Sequence, residues 1–261
     1  MQAPFTRAIV RPPGLSYAQG LTSSAALGPP DLARALDQHG RYCRALHACG
    51  LQLTTLPADE RFPDSTFVED TAVIAERVAV ITRPGAASRA GEVASIAAAL
   101  GAIRPRLERI EPPGTLDGGD VCQAGEHFFV GVSARTNPEG ARQLTATLES
   151  YGYTATAIDI RAHRTLLHLK TGIAWLGERC CVVAPGFPRP AMLAGCDVIE
   201  VDVAESYAAN CVRVNDQVLV AAGNPLLSAA LRSRGYRLCE LDMSDFRKMD
   251  GGLSCLSLRL Q

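Results

Sequence analysis

Residues 73–85 read VIAERVAVITRPG: two short apolar stretches on either side of an acidic-polar pair, Glu76-Arg77. Alternating apolar residues around such a pair predict two strands joined by a tight turn. The same design recurs in CQAGEHFFVGVSART at 122–136, WLGERCCVVAPG at 175–186 and RVNDQVLVAAGNP at 213–225. Successive turns lie 50, 52 and 38 residues apart. Periods of this length are typical of propellers, solenoids and other repeat arrays.

Helical patterns follow several of these hairpins. Asn137-Pro138 and Asn224-Pro225 each combine a helix N-cap residue with proline at the first helical position. Gly152 and Gly235 then supply the C-terminal stops. An extended segment follows, such as YRLCELD at 236–242. Each unit therefore reads as strand, strand, helix, strand.

A fifth unit is split between the two ends of the chain. Its first strand is the C-terminal SCLSLRL at 254–260, and its second is the N-terminal FTRAIVRP at 5–12. A helix over 31–49 and a strand over 51–56 complete it. Five such units predict a closed five-bladed α/β propeller, in which ring closure leaves no open sheet edge. We therefore predict a single catalytic domain over residues 1–261, although the periodicity alone also allows an ordinary mixed α/β sheet.

Composition excludes several classes of protein. The 261 residues carry a net charge of -1, which gives no bulk attraction to nucleic acid or to anionic membranes. No apolar run reaches the length of a membrane span, and the N-terminus has no signal-peptide core. The nine cysteines are scattered and form no C-x-x-C pair, which argues against a zinc module or a secreted disulfide framework. We therefore predict a cytoplasmic protein without membrane or nucleic-acid partners.

Polar residues stand at the same place in every unit, just before the hairpin. They are Glu69-Asp70, Asp117 with Asp120, His168 with Lys170, Asn210 and Cys255. In a ring with five-fold pseudo-symmetry, these positions converge on the central axis. Cys255 lies in what reads as a short apolar strand directly after the pair Gly251-Gly252, and two glycines allow close passage of the backbone. A buried core cysteine is the alternative interpretation.

The converging residues form a coherent catalytic set. A thiolate is a nucleophile, and a neighbouring imidazolium both stabilises it and donates a proton. Carboxylates around a closed pocket suit a guanidinium, a cation with planar N–H donors. Taken singly, His168 could be a satisfied strand histidine, and Asp64 and Asp70 could be turn and cap residues. The chain contains no G-x-S-x-G elbow, Walker A loop or dinucleotide glycine motif.

Many short segments together carry a resemblance to a known family. They are GLTSS (20–24), FPDSTFVED (62–70), ITRPGAASRAGE (81–92), TLDGGD (115–120), SARTN (133–137), LHLKTG (167–172), SYAANC (206–211) and DGGLSC (250–255). In this order, and over nearly the whole chain, they resemble the dimethylarginine dimethylaminohydrolases, which belong to the guanidino-group-modifying α/β-propeller (pentein) superfamily. The resemblance implies that this protein needs no cofactor and no metal.

The resemblance implies three catalytic residues and a lid. Cys255 corresponds to the nucleophile, His168 to the general acid/base, and Asp117 to the acidic partner that orients the histidine. That last position is glutamate or aspartate in the family. Leu21 falls on the lid, within the Gly/Pro/Ser-rich stretch 12–30, which we predict to be a mobile functional loop.

The resemblance also implies a substrate pocket with two charged ends. Asp64 and Asp70 match the carboxylates around the guanidinium, and Glu69 lies beside them. Arg89 and Arg135 match the arginines that hold the α-carboxylate of the amino acid.

The expected reaction hydrolyses asymmetric dimethylarginine, and monomethylarginine, to citrulline through a covalent thiouronium on the cysteine. An arginine deiminase-like enzyme that releases ammonia is the nearest alternative within the superfamily. A non-catalytic guanidine-binding protein is an alternative of another class. The expected partner is a small-molecule methylated arginine, and the resemblance leaves a homodimer open.

Overall fold

The computed structural model describes residues 3–104, 106–189 and 191–261. Its strands are β1 Arg7–Val10, β2 Gln52–Thr55, β3 Ala72–Ile74, β4 Ala79–Ile81, β5 Glu108–Arg109, β6 Val121–Ala124, β7 His127–Val132, β8 Thr154–Asp159, β9 Ile173–Gly177, β10 Cys180–Val183, β11 Asp197–Glu200, β12 Val212–Val214, β13 Gln217–Ala221, β14 Arg237–Leu241 and β15 Leu258–Leu260. Its helices are α1 Leu32–Ala48, α2 Val93–Gly101, α3 Pro138–Ser150, α4 Pro225–Ser233 and α5 Ser244–Arg247.

The strands form three-stranded sheets that share one topology. Their orders are β3-β4-β5, β6-β7-β8, β9-β10-β11, β12-β13-β14 and β15-β1-β2. In each sheet the first pair is antiparallel and the second pair is parallel. The first strands of all five sheets line a central channel. The five-bladed α/β propeller predicted from the repeats is therefore confirmed.

The apolar core closes the ring. One cluster of buried side chains joins the split sheet to β3 and β4, and a second joins β4 to β6 and β7. A third cluster joins β6 and β7 to β9 and β10, and a fourth joins β9 and β10 to β13. The last packs β12 and β13 against β1 and α1, with Val214 and Leu219 on one side and Val10 and Leu46 on the other. Burial of apolar surface between every neighbouring pair of sheets is the main stabilising contribution.

The split sheet is built as the sequence predicts. β1 pairs with β15 from opposite ends of the chain, with Arg7 opposite Leu260. Asp31 caps α1 by accepting a hydrogen bond from the backbone N–H of Arg34. Asn137 likewise caps α3 by accepting from the N–H of Gly140. These caps satisfy backbone donors that the first helical turn leaves unpaired.

Two local predictions were wrong. Between β10 and β11 the described residues contain only a 3₁₀ turn, Ala191–Leu193, instead of the helix of the other units. Pro185 and Pro188 enter this segment, and proline both lacks an N–H donor and clashes with a preceding helical turn. Cys255 lies in a 3₁₀ turn, Ser254–Leu256, and the strand begins only at Leu258.

Candidate active site

A short 3₁₀ turn precedes the first strand of every sheet and carries the polar residues of that unit. These turns are Val68–Thr71, Gly118–Asp120, Leu169–Thr171, Val203–Ala209 and Ser254–Leu256. Asp117 and His168 are the N-cap residues of the second and third turns, and Asn210 is the C-cap of the fourth. The turn holding Asp70 contacts the turns of Asp117 and Cys255. The topology thus gathers the predicted residues at one end of the channel.

Two glycines let the chain pass close to its neighbours just before Cys255. A Cβ atom on Gly251 would lie 2.3 Å from the Phe67 ring, and one on Gly252 would lie 2.3 Å from Asn210 Oδ1. Real Cβ atoms do not approach other atoms so closely, so larger residues would displace this segment. The Cys255 Sγ accepts a hydrogen bond from the Gly252 N–H at 3.4 Å. The glycine pair therefore sets the position of the thiol.

His168 is held between two buried carboxylates. Its Nε2 lies 3.0 Å from Asp117 Oδ2 and 4.0 Å from Asp70 Oδ1. Asp117 is fully buried, and its other oxygen accepts the Gly85 N–H at 2.8 Å. Asp70 Oδ1 accepts the Gly119 N–H at 2.9 Å. Because backbone donors fix both carboxylates, the imidazole is oriented before any substrate arrives.

Burial and neighbouring charges give Cys255 and His168 different protonation states. Burial raises the pKa of the Cys255 thiol to about 12, and the charges of Glu69 and Asp70 act in the same direction. Burial alone lowers the pKa of His168, but the carboxylates of Asp70, Asp120 and Asp117 outweigh it and raise that pKa to about 9. At neutral pH the free protein therefore holds a neutral thiol and a charged imidazolium.

The titration of His168 follows from this arrangement. We expect its ring to titrate near pH 9 in the free protein, and Asp70→Asn to lower that pKa by about one unit or more, because the carboxylate that favours the imidazolium most strongly is lost. The measurement is an NMR titration of histidine-labelled protein, assigned with His168→Gln.

Asp37→Asn is the matched control, because Asp37 is exposed and pairs only with Arg41 on the same helix. It should leave the His168 titration unchanged. Titration of His168 at or below pH 6.5 in the unmodified protein would contradict the electrostatic assignment.

Asp64 connects the predicted lid to the pocket. Its buried carboxylate accepts the backbone N–H of Leu21 at 3.0 Å and 3.2 Å. Farther along the loop, the Ser24 hydroxyl donates to Asp250 at 2.5 Å and the Thr22 hydroxyl donates to the Lys248 carbonyl at 2.8 Å. Leu21 itself is 42% exposed. The loop is thus fastened to both sides of the pocket in this structure, and its mobility stays a prediction.

Arg89 is tied into a buried ionic network. Its guanidinium pairs with Asp70 through Nη1 and with Glu92 through Nη2 and Nε. The carbonyls of Asp64 and Phe67 accept two further bonds from Nη2. Only one N–H, on Nη1, is left for another acceptor. Arg89 therefore fixes Asp70 in place, and its predicted contact with a substrate carboxylate stays a prediction.

Arg135 differs from Arg89 in its surroundings. It is half-buried, and its backbone N–H donates to the Ser133 hydroxyl at 2.9 Å. Within the part of the chain that the structure describes, no side-chain ion pair or hydrogen bond engages its guanidinium. Its charge acts on the nearby Asp64 carboxyl, whose pKa is raised mainly by burial. Arg135 therefore has donors to offer to an incoming carboxylate.

Glu69 faces the opposite side of its turn from Asp70. Its Oε1 lies 2.6 Å from Lys170 Nζ and 3.5 Å from Arg259 Nη2, and its Oε2 accepts the Ser254 hydroxyl at 2.8 Å. The structure thus does not bring Glu69 into the group around His168. It supports the turn of Cys255 from behind.

Comparison with known proteins gives the family. The arginine deiminase family model matches residues 96–200. The chain is 47% identical to the N(G),N(G)-dimethylarginine dimethylaminohydrolase of Pseudomonas aeruginosa, over 98% of this chain and 99% of the relative. The chain belongs to the dimethylarginine dimethylaminohydrolase family.

Solved structures of the family agree with this fold. A cysteine-to-serine variant of the Pseudomonas aeruginosa enzyme, complexed with citrulline, superposes with a TM-score of 0.95 at 46% identity, over 98% of this chain and 100% of that chain. A histidine-to-glycine variant of a dimethylarginine dimethylaminohydrolase, an adduct with S-methyl-L-thiocitrulline, superposes with a TM-score of 0.94 at 46% identity, over 98% and 99% of the two chains.

One cluster in the site has donor atoms suited to a cation. The ligand atoms of Asp70, Asp117 and His168 lie within 4.8 Å of one another. Arg89 donates to Asp70 Oδ2, and the backbone N–H groups of Gly119 and Gly85 donate to Asp70 Oδ1 and Asp117 Oδ1. The set therefore fits an ion pair with His168, and the absence of a metal requirement stays a prediction.

Three supporting residues were not assigned roles from the sequence. Glu92 is 1% exposed and pairs with Arg89, and burial raises its pKa to about 7 although Arg89 opposes the shift. Asp120 accepts the Leu169 N–H at 2.9 Å and so anchors the turn that begins at His168. Asn210 accepts the Ser254 N–H at 3.0 Å. The i,i+3 spacing of Arg89 and Glu92 was the sequence signal for the ion pair between them.

Proposed function

We propose that this chain hydrolyses asymmetric dimethylarginine to citrulline and dimethylamine, and monomethylarginine to citrulline and methylamine. The arrangement around Asp70 carries the proposal, because this carboxylate acts electrostatically on both the Cys255 thiol and the His168 imidazolium. A cation bound there meets a nucleophile on one side and a proton donor on the other. The family relationship and the citrulline complex of the relative support the same substrate class.

The first half-reaction follows from the charges. A guanidinium beside Asp70 and Asp64 adds positive charge next to the neutral thiol of Cys255 and lowers its pKa. As the guanidinium binds, the Cys255 thiol loses its proton to solvent. The thiolate then attacks the guanidinium carbon, so a C–S bond forms and a tetrahedral adduct results. His168, held charged by its carboxylates, donates its proton to the dimethylamino nitrogen as the C–N bond breaks. Dimethylamine leaves, and a thiouronium remains on Cys255.

The second half-reaction reuses the same histidine. His168 is now neutral and accepts a proton from a water molecule that attacks the thiouronium carbon. The C–S bond then breaks, the electron pair returns to the Cys255 sulfur, and citrulline is released. Asp117 keeps the ring oriented through both steps, since its hydrogen bond to Nε2 at 3.0 Å stabilises the imidazolium whenever it forms.

Product analysis tests the proposal directly. Purified protein should convert asymmetric dimethylarginine to citrulline and dimethylamine without added metal or nucleotide. Arginine is offered beside it at equal concentration, and ammonia and dimethylamine are separated by chromatography. We expect dimethylamine to exceed ammonia by at least about tenfold, a discrimination of about 1.4 kcal/mol.

Three outcomes would argue against this function. Faster release of ammonia from arginine favours an arginine deiminase-like enzyme. Binding without turnover favours a non-catalytic guanidine-binding protein. Loss of activity with EDTA and recovery with zinc contradicts the metal-free thiol mechanism.

The domain organisation and the cellular location of the enzyme are part of the same proposal. We infer one catalytic domain over residues 1–261 and a cytoplasmic location, which the scattered cysteines and the lack of a C-x-x-C pair in the sequence support. No helix in the described part of the chain is long and apolar enough to cross a membrane. The homodimer stays a prediction, and analytical ultracentrifugation measures it.

A further inference from the structure

The central channel contains a second chamber behind the catalytic residues. This rear chamber has a volume of about 470 Å³ and is lined by one strand of every sheet, including Val73, Cys122, Ala174, Val212 and Leu258. Its floor is formed by Glu69, Lys170 and Ser254. Asp70, His168 and Cys255 lie in the same turns as these floor residues but do not line the chamber. A volume of this size is typical of small-molecule sites.

The floor of the rear chamber has more positive than negative charge. Lys170 and Arg259 share a single carboxylate, that of Glu69, at 2.6 Å and 3.5 Å from its Oε1. All three side chains are at most 17% exposed. Glu69 Oε2 also accepts the Ser254 hydroxyl, and the ammonium group of Lys170 has three N–H donors. Two buried cations against one anion favour an additional negative group.

A third cation stands on the chamber wall. Arg213 is half-buried, and its side chain donates to the carbonyls of Leu176 and Asn215 at 2.5 Å and 3.0 Å. No carboxylate in the described ranges of the chain forms an ion pair with it. Two further carboxylates line the chamber, those of Asp216 and Glu178. Asp216 is paired with Arg237, and Glu178 is exposed to water, which screens its charge.

The remaining wall of the chamber is mostly apolar, with Gln123, Asn215 and Ser257 as further polar residues. Phe128 and Val73 are buried, and Phe5 and Trp175 are half-buried near them. An apolar wall with a few convergent charged groups is the general character of a pocket for an organic ligand. The substrate of the proposed reaction carries a net positive charge, so a floor with excess positive charge disfavours it.

We propose that the rear chamber binds a small organic anion, a carboxylate or sulfonate with an aromatic or aliphatic body. The anionic head pairs with Lys170 and Arg259, and the body packs against Trp175 and Phe128. This site is separate from the substrate pocket, and it does not depend on the reaction proposed above.

Trp175 makes the site measurable, because it is the one tryptophan of the sequence and it lines the chamber. The probe is 8-anilinonaphthalene-1-sulfonate, and the control is N-phenyl-1-naphthylamine, which has the same rings and no charge. We expect saturable quenching of Trp175 with sensitised emission from the sulfonate. The neutral probe should bind at least about tenfold more weakly, as the loss of a charge-assisted pair implies.

Variants of the floor test the charge. Lys170→Met should weaken binding of the sulfonate by about tenfold, and Lys170→Arg should retain it. Should Lys170→Met fail to fold by circular dichroism, Arg259→Gln with Arg259→Lys as its control provides the same comparison, because Arg259 is the other cation assigned to the anionic head. Equal affinity for both probes, no energy transfer from Trp175, or displacement of the sulfonate by dimethylarginine would each overturn the proposal.

Discussion

Cys255→Ser is expected to abolish turnover of dimethylarginine while leaving the fold intact. Serine is nearly isosteric with cysteine, so the Gly252 N–H contact and the packing around the turn are retained. The hydroxyl is a much poorer nucleophile, and the site holds an imidazolium instead of a strong base at neutral pH. We expect kcat/KM to fall by at least about 10⁴-fold, as measured by citrulline formation.

Cys239→Ser is the matched control for this experiment. Cys239 is also a half-buried free thiol, but it lies on β14, away from the five turns. Its replacement should leave citrulline formation unchanged, and thermal melting should confirm that both variants fold. Residual turnover by Cys255→Ser within tenfold of the unmodified protein would rule out the thiol mechanism.

The fold is predictable from the sequence to the extent that each unit repeats local signals. The caps Asp31 and Asn137 fall at the helix starts that the sequence indicates. The missing helix between β10 and β11 was not predicted, because the argument from repeats assumed that every copy keeps the same connection. Pro185 and Pro188 stood in the sequence as local evidence against a helix there.

The site is less predictable, because neighbours in sequence can face opposite ways. Glu69 and Asp70 share a 3₁₀ turn with three residues per turn, so their side chains diverge by about 120°. One carboxylate reaches His168, and the other reaches Lys170 on the floor of the rear chamber. Likewise, the i,i+3 spacing of Arg89 and Glu92 indicates one ion pair, but no local pattern reveals that Asp70 also engages the Arg89 guanidinium, because that contact is set by tertiary packing.

Asp70→Asn and Arg135→Ala are expected to damage the two ends of the pocket differently. Asp70→Asn removes the charge that favours the His168 imidazolium and that we propose to bind the guanidinium. It should lower kcat/KM by at least about 100-fold, both for dimethylarginine and for a simple methylguanidine without a carboxylate. We expect kcat/KM to fall to a similar extent for both substrates, because each presents the same cationic group to Asp70.

Arg135→Ala should instead discriminate between the two substrates. Its guanidinium has donors to offer to the α-carboxylate, and removal of such a charge-assisted pair costs about 1.5–3 kcal/mol, or about 10- to 150-fold in kcat/KM for dimethylarginine. For the methylguanidine, which has no carboxylate, kcat/KM should fall only slightly. The ratio of the two losses is the quantity to measure, because any uniform effect of the substitution on the folded protein cancels in it. Equal losses for both substrates with Arg135→Ala, together with unchanged kinetics for Asp70→Asn, would reverse the assigned orientation of the substrate.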